Sequence, residues 1–142
     1  MRQALAEAQR AAAMDEVPVG AVIVHERQII AKAHNQVEML KDPTAHAEIL
    51  ALTQAANALN QKWLYDTTLY VTLEPCSMCA GALVLARVKR LVFGARDPKT
   101  GACGSVLQIT DHPQLNHRLA IHSGVLEEEC SRLLKDFFDA KR

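Results

Sequence analysis

The sequence contains few aromatic residues and no excess charge of either sign. Aromatic side chains make up 4% of its 142 residues, and 16 basic residues balance 16 acidic ones. An extensive stacking platform for single-stranded RNA is therefore excluded, and no global field draws the chain to nucleic acid. Contacts with phosphates must come from local clusters such as Lys89-Arg90, Arg96 with Lys99, or Lys141-Arg142, although such groups are equally typical of a solvated face.

Long apolar runs and a targeting leader are also missing. No stretch approaches the roughly 18 apolar residues of a membrane helix, and no basic-then-apolar leader precedes a small-residue cleavage site. We therefore expect no membrane segment and a cytoplasmic location. The four cysteines fit reducing surroundings better than a disulfide scaffold. With 49% hydrophobic residues, the chain can form a core, and we predict a single domain over residues 1–142.

Hydrophobic patterning predicts alternating strands and helices. Val/Ile-rich residues 17–24 and 28–33 are predicted to pair as an antiparallel hairpin. The later elements are predicted as a helix at 48–59, a strand at 68–73, a helix from the cysteine motif, a strand at 90–94, a loop at 95–116, a short strand near 118–122 and a helix at 125–140. The order strand, helix, strand, helix implies a parallel part of the sheet. We predict a three-layer α/β/α domain with a central mixed sheet of about five strands.

Two short motifs carry the chemistry. His46-Ala47-Glu48 is followed downstream by Pro75-Cys76-Ser77-Met78-Cys79. Cys76 and Cys79, three residues apart at a predicted helix start, can share one face and ligate one ion. One imidazole and two thiolates leave the fourth position of a tetrahedral zinc for water, which is typical of a catalytic site.

Glu48 is predicted as the general acid/base. A regular helix rotates residues two apart by roughly 200°, so His46 and Glu48 cannot share a face unless the first turn is irregular. Such irregularity lets His46 bind metal while the Glu48 carboxylate stays outside the ligands and reaches the bound water. Proton transfer by a side chain in this position contributes typically about 10²–10⁴-fold in rate.

A closed structural zinc site or a redox pair is the competing interpretation of C-x-x-C. A fourth protein ligand would have to be Cys103 or Cys130. Cys130 falls in an apolar-periodic helix and is predicted to pack in the core, and Cys103 lies in the glycine-bracketed loop 101–104. The joint occurrence of H-x-E with P-C-x-x-C favours the open site.

The joint motif is the signature of zinc nucleobase deaminases, and nearly the whole chain resembles bacterial tRNA-specific adenosine deaminases. The segments that carry this resemblance are Pro18–Val24, Ala33-His34-Asn35, Asp42–Glu48, Leu73–Ala82 and Phe93–Asp97. The resemblance implies a cytidine-deaminase-like fold and conversion of adenosine to inosine at the wobble position of a tRNA anticodon. It also implies a homodimer with one zinc ion in each subunit.

The same resemblance implies roles for individual residues. His46, Cys76 and Cys79 would bind Zn²⁺, and Glu48 would move protons while zinc-activated hydroxide attacks C6 of adenine. Asn35 would lie against the base edge, where its amide can donate and accept hydrogen bonds; alternatively it is a turn residue that ends a strand. Asp97 would lie near the RNA backbone and accept a ribose 2′-hydroxyl, or else it initiates a turn before Pro98.

Three functions remain open from the sequence. The first is a tRNA wobble adenosine deaminase, and the second is a deaminase of a free base or nucleotide of the guanine or cytosine type, because both use this zinc chemistry. The third is a catalytically silent RNA-binding or scaffold subunit that keeps zinc for stability. Glu48 argues against the third, since a structural site has no use for a proton-transfer group here.

Phe137-Phe138 is the best candidate pair for stacking on RNA bases, although a core role is expected for at least one of them.

Overall fold

The computed structural model describes all 142 residues and contains five strands and five helices. In chain order these are α1 (Arg2–Ala13), β1 (Gly20–His25), β2 (Gln28–His34), α2 (Val37–Leu40), α3 (Ala47–Leu59), β3 (Thr67–Leu73), α4 (Ser77–Leu85), β4 (Arg90–Ala95), β5 (Ala120–His122) and α5 (Glu127–Ala140). No helix has the length and apolar character needed to span a membrane.

The five strands form one mixed sheet in the order β2-β1-β3-β4-β5. β1 is antiparallel to both of its neighbours, whereas β3, β4 and β5 run parallel. The predicted parallel part is therefore confirmed, and its cause is local, because α4 carries the chain back between β3 and β4. The predicted hairpin is also confirmed, but β1 begins later than expected, since Pro18 has no N–H to donate to a neighbouring strand.

The hairpin turn forms without glycine. Glu26 and Arg27 connect the strands with φ angles of 50° and 64°. A two-residue turn with both φ values positive matches the twist of the flanking strands, and glycine or asparagine usually occupies it. Here two charged residues accept the left-handed conformation at some local cost.

Helices cover both faces of the sheet. α1 and α5 contact each other on one face, and α3 and α4 contact each other on the other. Small residues allow α1 close to the sheet: a Cβ at Gly20 would lie 2.0 Å from the carbonyl oxygen of Ala4 and 2.5 Å from the nitrogen of Ala8. The larger of two hydrophobic clusters contains 21 buried residues and lies mainly between the sheet and α3/α4. This three-layer arrangement is the predicted α/β/α fold.

The short helix α2 has no counterpart among the predicted elements. The four-residue helix α2 follows β2, and the buried carboxylate of Glu16 accepts hydrogen bonds from the backbone N–H groups of Glu38 and Met39 at 2.9 and 2.8 Å. A helix this short is not stable by itself. Its position depends on Glu16, which lies before β1, so no local sequence pattern indicates it.

Candidate active site

Two helix starts converge on one point. His46 is the residue before α3 and Cys76 is the residue before α4, and both have extended backbone angles (φ −77°, ψ 151° and φ −73°, ψ 176°). Neither side chain caps its helix, so both are free to bind an ion. His46 lies outside the helix that contains Glu48, which supplies the irregularity that the H-x-E spacing requires.

The three predicted ligands lie together. The His46 Nδ1 atom is 3.7 Å from the Cys76 sulfur and 3.6 Å from the Cys79 sulfur, and all three ligand atoms lie within 4.8 Å of one another. A tetrahedral zinc with Zn–N of about 2.05 Å and Zn–S of about 2.3 Å separates nitrogen and sulfur by about 3.6 Å. The donor set and its spacing therefore fit a zinc ion.

The remaining cysteines do not complete this cluster. Neither Cys103 nor Cys130 belongs to the group of side chains that can hold a metal. None of the four cysteines forms a disulfide, and Cys103 and Cys130 are buried. Cys130 packs with Leu5 and Ala95 in the smaller hydrophobic cluster, which confirms the predicted core role.

The neighbours of Cys76 favour its thiolate form. Hydrogen bonding from the Cys79 thiol and then from His46 lowers the pKa of Cys76 to about 4. The same contact raises the pKa of Cys79, and the hydrogen bond with Cys76 raises the pKa of His46. The pair therefore holds its first negative charge on Cys76 at neutral pH, and a cation bound here would displace the proton that Cys79 retains.

Glu48 lies buried beside this cluster but is not part of it. Glu48 is 4% exposed, and burial raises the pKa of its carboxyl group to about 7, against the smaller opposing effects of its own backbone N–H and of the neighbouring His46. It also lines a cleft together with His46 and Cys76. A carboxyl group with a pKa near the working pH can both accept and donate a proton, as general acid/base catalysis requires.

Asn35 follows β2 and joins that strand to the start of α3. Its Oδ1 accepts the N–H of Ala47 at 2.8 Å, and its backbone N–H donates to the carbonyl of Val19 at 3.1 Å. The side chain lines the cleft. The carbonyl oxygen keeps a second lone pair and the NH₂ group keeps its donors. A contact of this amide with the base edge, as donor and acceptor, stays a prediction.

Asp97 also lines the cleft, and its carboxylate organises a turn. Oδ1 accepts the N–H groups of Lys99 and Thr100 at 3.0 and 3.1 Å, and Oδ2 accepts the Thr100 hydroxyl at 2.8 Å. The turn anticipated before Pro98 is thus present. A ribose contact would have to use the remaining lone pairs of this carboxylate, and it stays a prediction.

The cleft has a volume of about 980 Å³. Its walls come from the segment between α1 and β1, from α2, from both helix starts, from the loop after β4 and from the end of α5. Phe137 and Phe138 line it, with ring centroids 5.3 Å apart, edge to face. Neither belongs to a core cluster, so the expected core role for one of them is wrong. Periodicity places an apolar residue on a helix face, but it cannot distinguish the core from a cleft.

Two buried carboxylates of the cleft were missed by sequence reasoning. Glu16 and Glu74 are 1% and 2% exposed, and both accept backbone N–H groups from distant segments. Glu16 has no sequence signal. Glu74 stands directly before the Pro75-Cys76 motif, which is the one available hint of a role near the site.

Comparison with known proteins assigns the class. A family model described as MafB19-like deaminase matches residues 1–142. A structure from biochemical and structural studies of A-to-I editing by tRNA:A34 deaminases at the wobble position of transfer RNA is similar, with a TM-score of 0.91 and 46% identity, over 94% of this chain and 97% of that one. Guanine deaminase from Nitrosomonas europaea has a TM-score of 0.77 at 28% identity, over 94% of this chain and 80% of that one. Fold and site together define a deaminase with the cytidine-deaminase-like architecture.

Curated relatives narrow the assignment. The tRNA-specific adenosine deaminase of Aquifex aeolicus is 54% identical over all of this chain and 93% of that protein. That of Haemophilus influenzae is 52% identical, over 100% of this chain and 83% of its own length. The chain belongs to the tRNA-specific adenosine deaminase family.

Proposed function

We propose that this protein hydrolyses adenosine to inosine at the wobble position of a tRNA anticodon. The observation that carries the proposal is the convergence of His46, Cys76 and Cys79 at two helix starts, with the buried Glu48 carboxyl group beside them. Three donors with one acid/base group outside the ligands is the arrangement that hydrolytic deamination needs.

One Zn²⁺ ion for each chain is part of this proposal, and His46, Cys76 and Cys79 would hold it. The nitrogen–sulfur distances of 3.6 and 3.7 Å support this choice, as does the borderline-soft donor set. When bound, zinc lowers the pKa of a coordinated water toward about 7 and supplies a nucleophile without strong base.

Glu48 performs the proton transfers. Its carboxylate takes a proton from the attacking water and delivers it to the ring nitrogen beside C6, which weakens the aromatic resistance of that carbon. It then takes the proton of the new hydroxyl group on C6 and passes it to the departing amino group, so that water and adenosine yield inosine and ammonia. A pKa of about 7, raised by burial, allows both directions of transfer near neutral pH.

Asn35 and Asp97 orient the nucleotide in this proposal. The Asn35 NH₂ group donates to an acceptor on the base edge, while the N–H of Ala47 fixes the orientation of the amide through its oxygen. Asp97 accepts a ribose 2′-hydroxyl, which would favour RNA over DNA. Both side chains line the same cleft as Glu48.

The choice of tRNA over a free base rests on sequence similarity. The curated tRNA-specific relatives named above are 52% and 54% identical, whereas the similar guanine deaminase structures from two bacteria are 28% and 32% identical. Incubation of the protein with anticodon stem-loops, guanine and cytosine derivatives, scored by ammonia release and by mass analysis of the RNA, tests the choice. Inosine at one anticodon position supports the proposal, and ammonia from a free base alone contradicts it.

A homodimer in the cytoplasm completes the proposal. Large apolar side chains that stand exposed on the single chain, including Leu85 at 77% and Val106 at 53%, are suited to a subunit interface. Sedimentation velocity tests the assembly, and a monomer at micromolar concentration would contradict it. Fractionation of cells that produce the protein tests the location.

A further inference from the structure

The Glu74 carboxylate accepts four hydrogen bonds from a single loop. Its Oε1 accepts the N–H of Asp97 at 3.0 Å and the hydroxyl of Ser105 at 2.5 Å. Its Oε2 accepts the N–H groups of Cys103 and Ser105 at 3.0 and 3.1 Å. All four donors belong to residues 97–105, which we call the cleft loop, and Glu74 itself is 2% exposed.

The cleft loop is shaped around this carboxylate. The N–H of Gly101 donates to the carbonyl of Asp97 at 2.9 Å and closes the first half of the loop. A Cβ at Gly101 would lie 2.4 Å from Cδ of Glu74 and 2.5 Å from its Oε2, so a side chain at this position would collide with the carboxylate. The loop backbone therefore approaches Glu74 as closely as glycine permits.

Glu74 also connects the cleft loop to the metal-ligand cluster. Only Pro75 separates it from Cys76, and the carbonyl of Pro75 accepts the N–H of Ala102 at 2.8 Å. Asp97 and Thr100 of the loop line the cleft together with His46 and Cys76. One short stretch, residues 74–76, thus holds both a candidate metal ligand and a loop that forms part of the cleft wall.

We propose that Glu74 is a positioning residue that fixes the cleft loop relative to Cys76, so that the wall contacted by the substrate RNA keeps one shape. This inference rests on the proposed function for its substrate but not for its structural content. Glu74 need not touch the reacting atoms. Its effect passes through the backbone of Asp97, Cys103 and Ser105.

Glu74→Gln tests the proposal with nearly unchanged side-chain size. The amide keeps one acceptor oxygen and turns an NH₂ group toward N–H donors, so at least one hydrogen bond to the cleft loop is lost. We expect KM for an anticodon stem-loop to rise about tenfold, while kcat stays within about threefold. Ser105→Ala, which removes one of the four donors, should raise KM by about threefold.

Glu7→Gln is the matched control. Glu7 is another buried glutamate, 5% exposed, and it pairs with His34 and Arg10 away from the cleft lining. We expect this variant to leave KM unchanged. Zinc content should remain one ion for each chain in all three variants.

Amide hydrogen exchange separates this inference from the proposed function. In Glu74→Gln the amides of residues 97, 103 and 105 should exchange about tenfold faster, with no change in β3 or α3. Unchanged exchange in the cleft loop, an unchanged KM in both Glu74→Gln and Ser105→Ala, an equal rise in Glu7→Gln, or loss of zinc would each overturn the proposal. Should Glu74→Gln fail to fold, Ser105→Ala decides by the same two measurements. Absence of inosine with the unaltered protein refutes the proposed function, and exchange still decides the role of Glu74.

Discussion

Replacing Glu48 by glutamine separates catalysis from metal binding and folding. The change keeps the shape of a side chain that is 4% exposed, and it removes the titratable proton together with the charge of the ionised form. Since Glu48 is assigned both the uptake of the water proton and its return to the substrate, we expect kcat to fall by about 10²–10⁴-fold, or about 2.7–5.5 kcal/mol in the activation barrier. Zinc should remain at one ion for each chain.

The same variant loses activity but should gain folding stability at higher pH. Burial raises the pKa of Glu48 to about 7 from its ordinary 4.5, which corresponds to about 3 kcal/mol. A carboxyl group with a raised folded-state pKa contributes stability that is complete below about pH 4.5 and is lost as the pH rises through about 7. In protein stripped of zinc by a chelator, Glu48→Gln should therefore become more stable than the unaltered protein as the pH rises from 5 to 8 (about 3 kcal/mol at the upper end).

Single-turnover deamination of an anticodon stem-loop, elemental analysis and urea unfolding at several pH values supply the three measurements. Glu128→Gln is the matched control, because it makes the same chemical change at an exposed position of α5. Turnover within tenfold of the unaltered enzyme, at equal zinc content, would refute the assignment of Glu48 as proton shuttle. Loss of zinc in Glu48→Gln would instead mean that this carboxylate is a ligand.

Three further predictions concern the groups around Glu48. Cys76→Ala should reduce bound zinc, measured by elemental analysis, from one ion for each chain toward zero and should abolish turnover. Cys130→Ala is the control and should retain the zinc ion although its core is less stable. Asn35→Asp keeps an oxygen for the Ala47 N–H and loses the NH₂ donor, so kcat/KM should fall by about tenfold or more at unchanged zinc content; equal kcat/KM would show that this amide does not contact the base. Glu16→Ala leaves two N–H groups of α2 without their acceptor, and urea unfolding should show a loss of about 2–4 kcal/mol, with a loss below 0.5 kcal/mol contradicting the account of α2.

The fold was largely predictable because its signals are local. Val/Ile runs mark β1 and β2, and the strand–helix–strand order over 67–95 predicts the parallel pair β3 and β4. α2 was not predictable, since the acceptor for its first N–H groups is Glu16, 22 and 23 residues away in sequence. A contact of that kind leaves no periodic trace in the chain.

The ligand set was also encoded locally, because H-x-E and C-x-x-C place donors at helix starts by spacing alone. The 3.7 Å between His46 and Cys76, which are 30 residues apart, required the sheet to bring α3 and α4 side by side. Periodicity failed for Phe137 and Phe138, since it reports an apolar face and not what that face meets.

The sequence by itself determined which chemical groups are present and which helix starts present them, because backbone propensity and side-chain type act over a few residues. The tertiary structure alone decided how those groups are used. It directed one lone pair of the Asn35 oxygen to the N–H of Ala47, used most of the Asp97 carboxylate in a turn, and placed the cleft loop around the Glu74 carboxylate. These assignments depend on hydrogen bonds and burial between segments far apart in the chain, and desolvation in the folded interior is what raises the pKa of Glu48 toward neutrality.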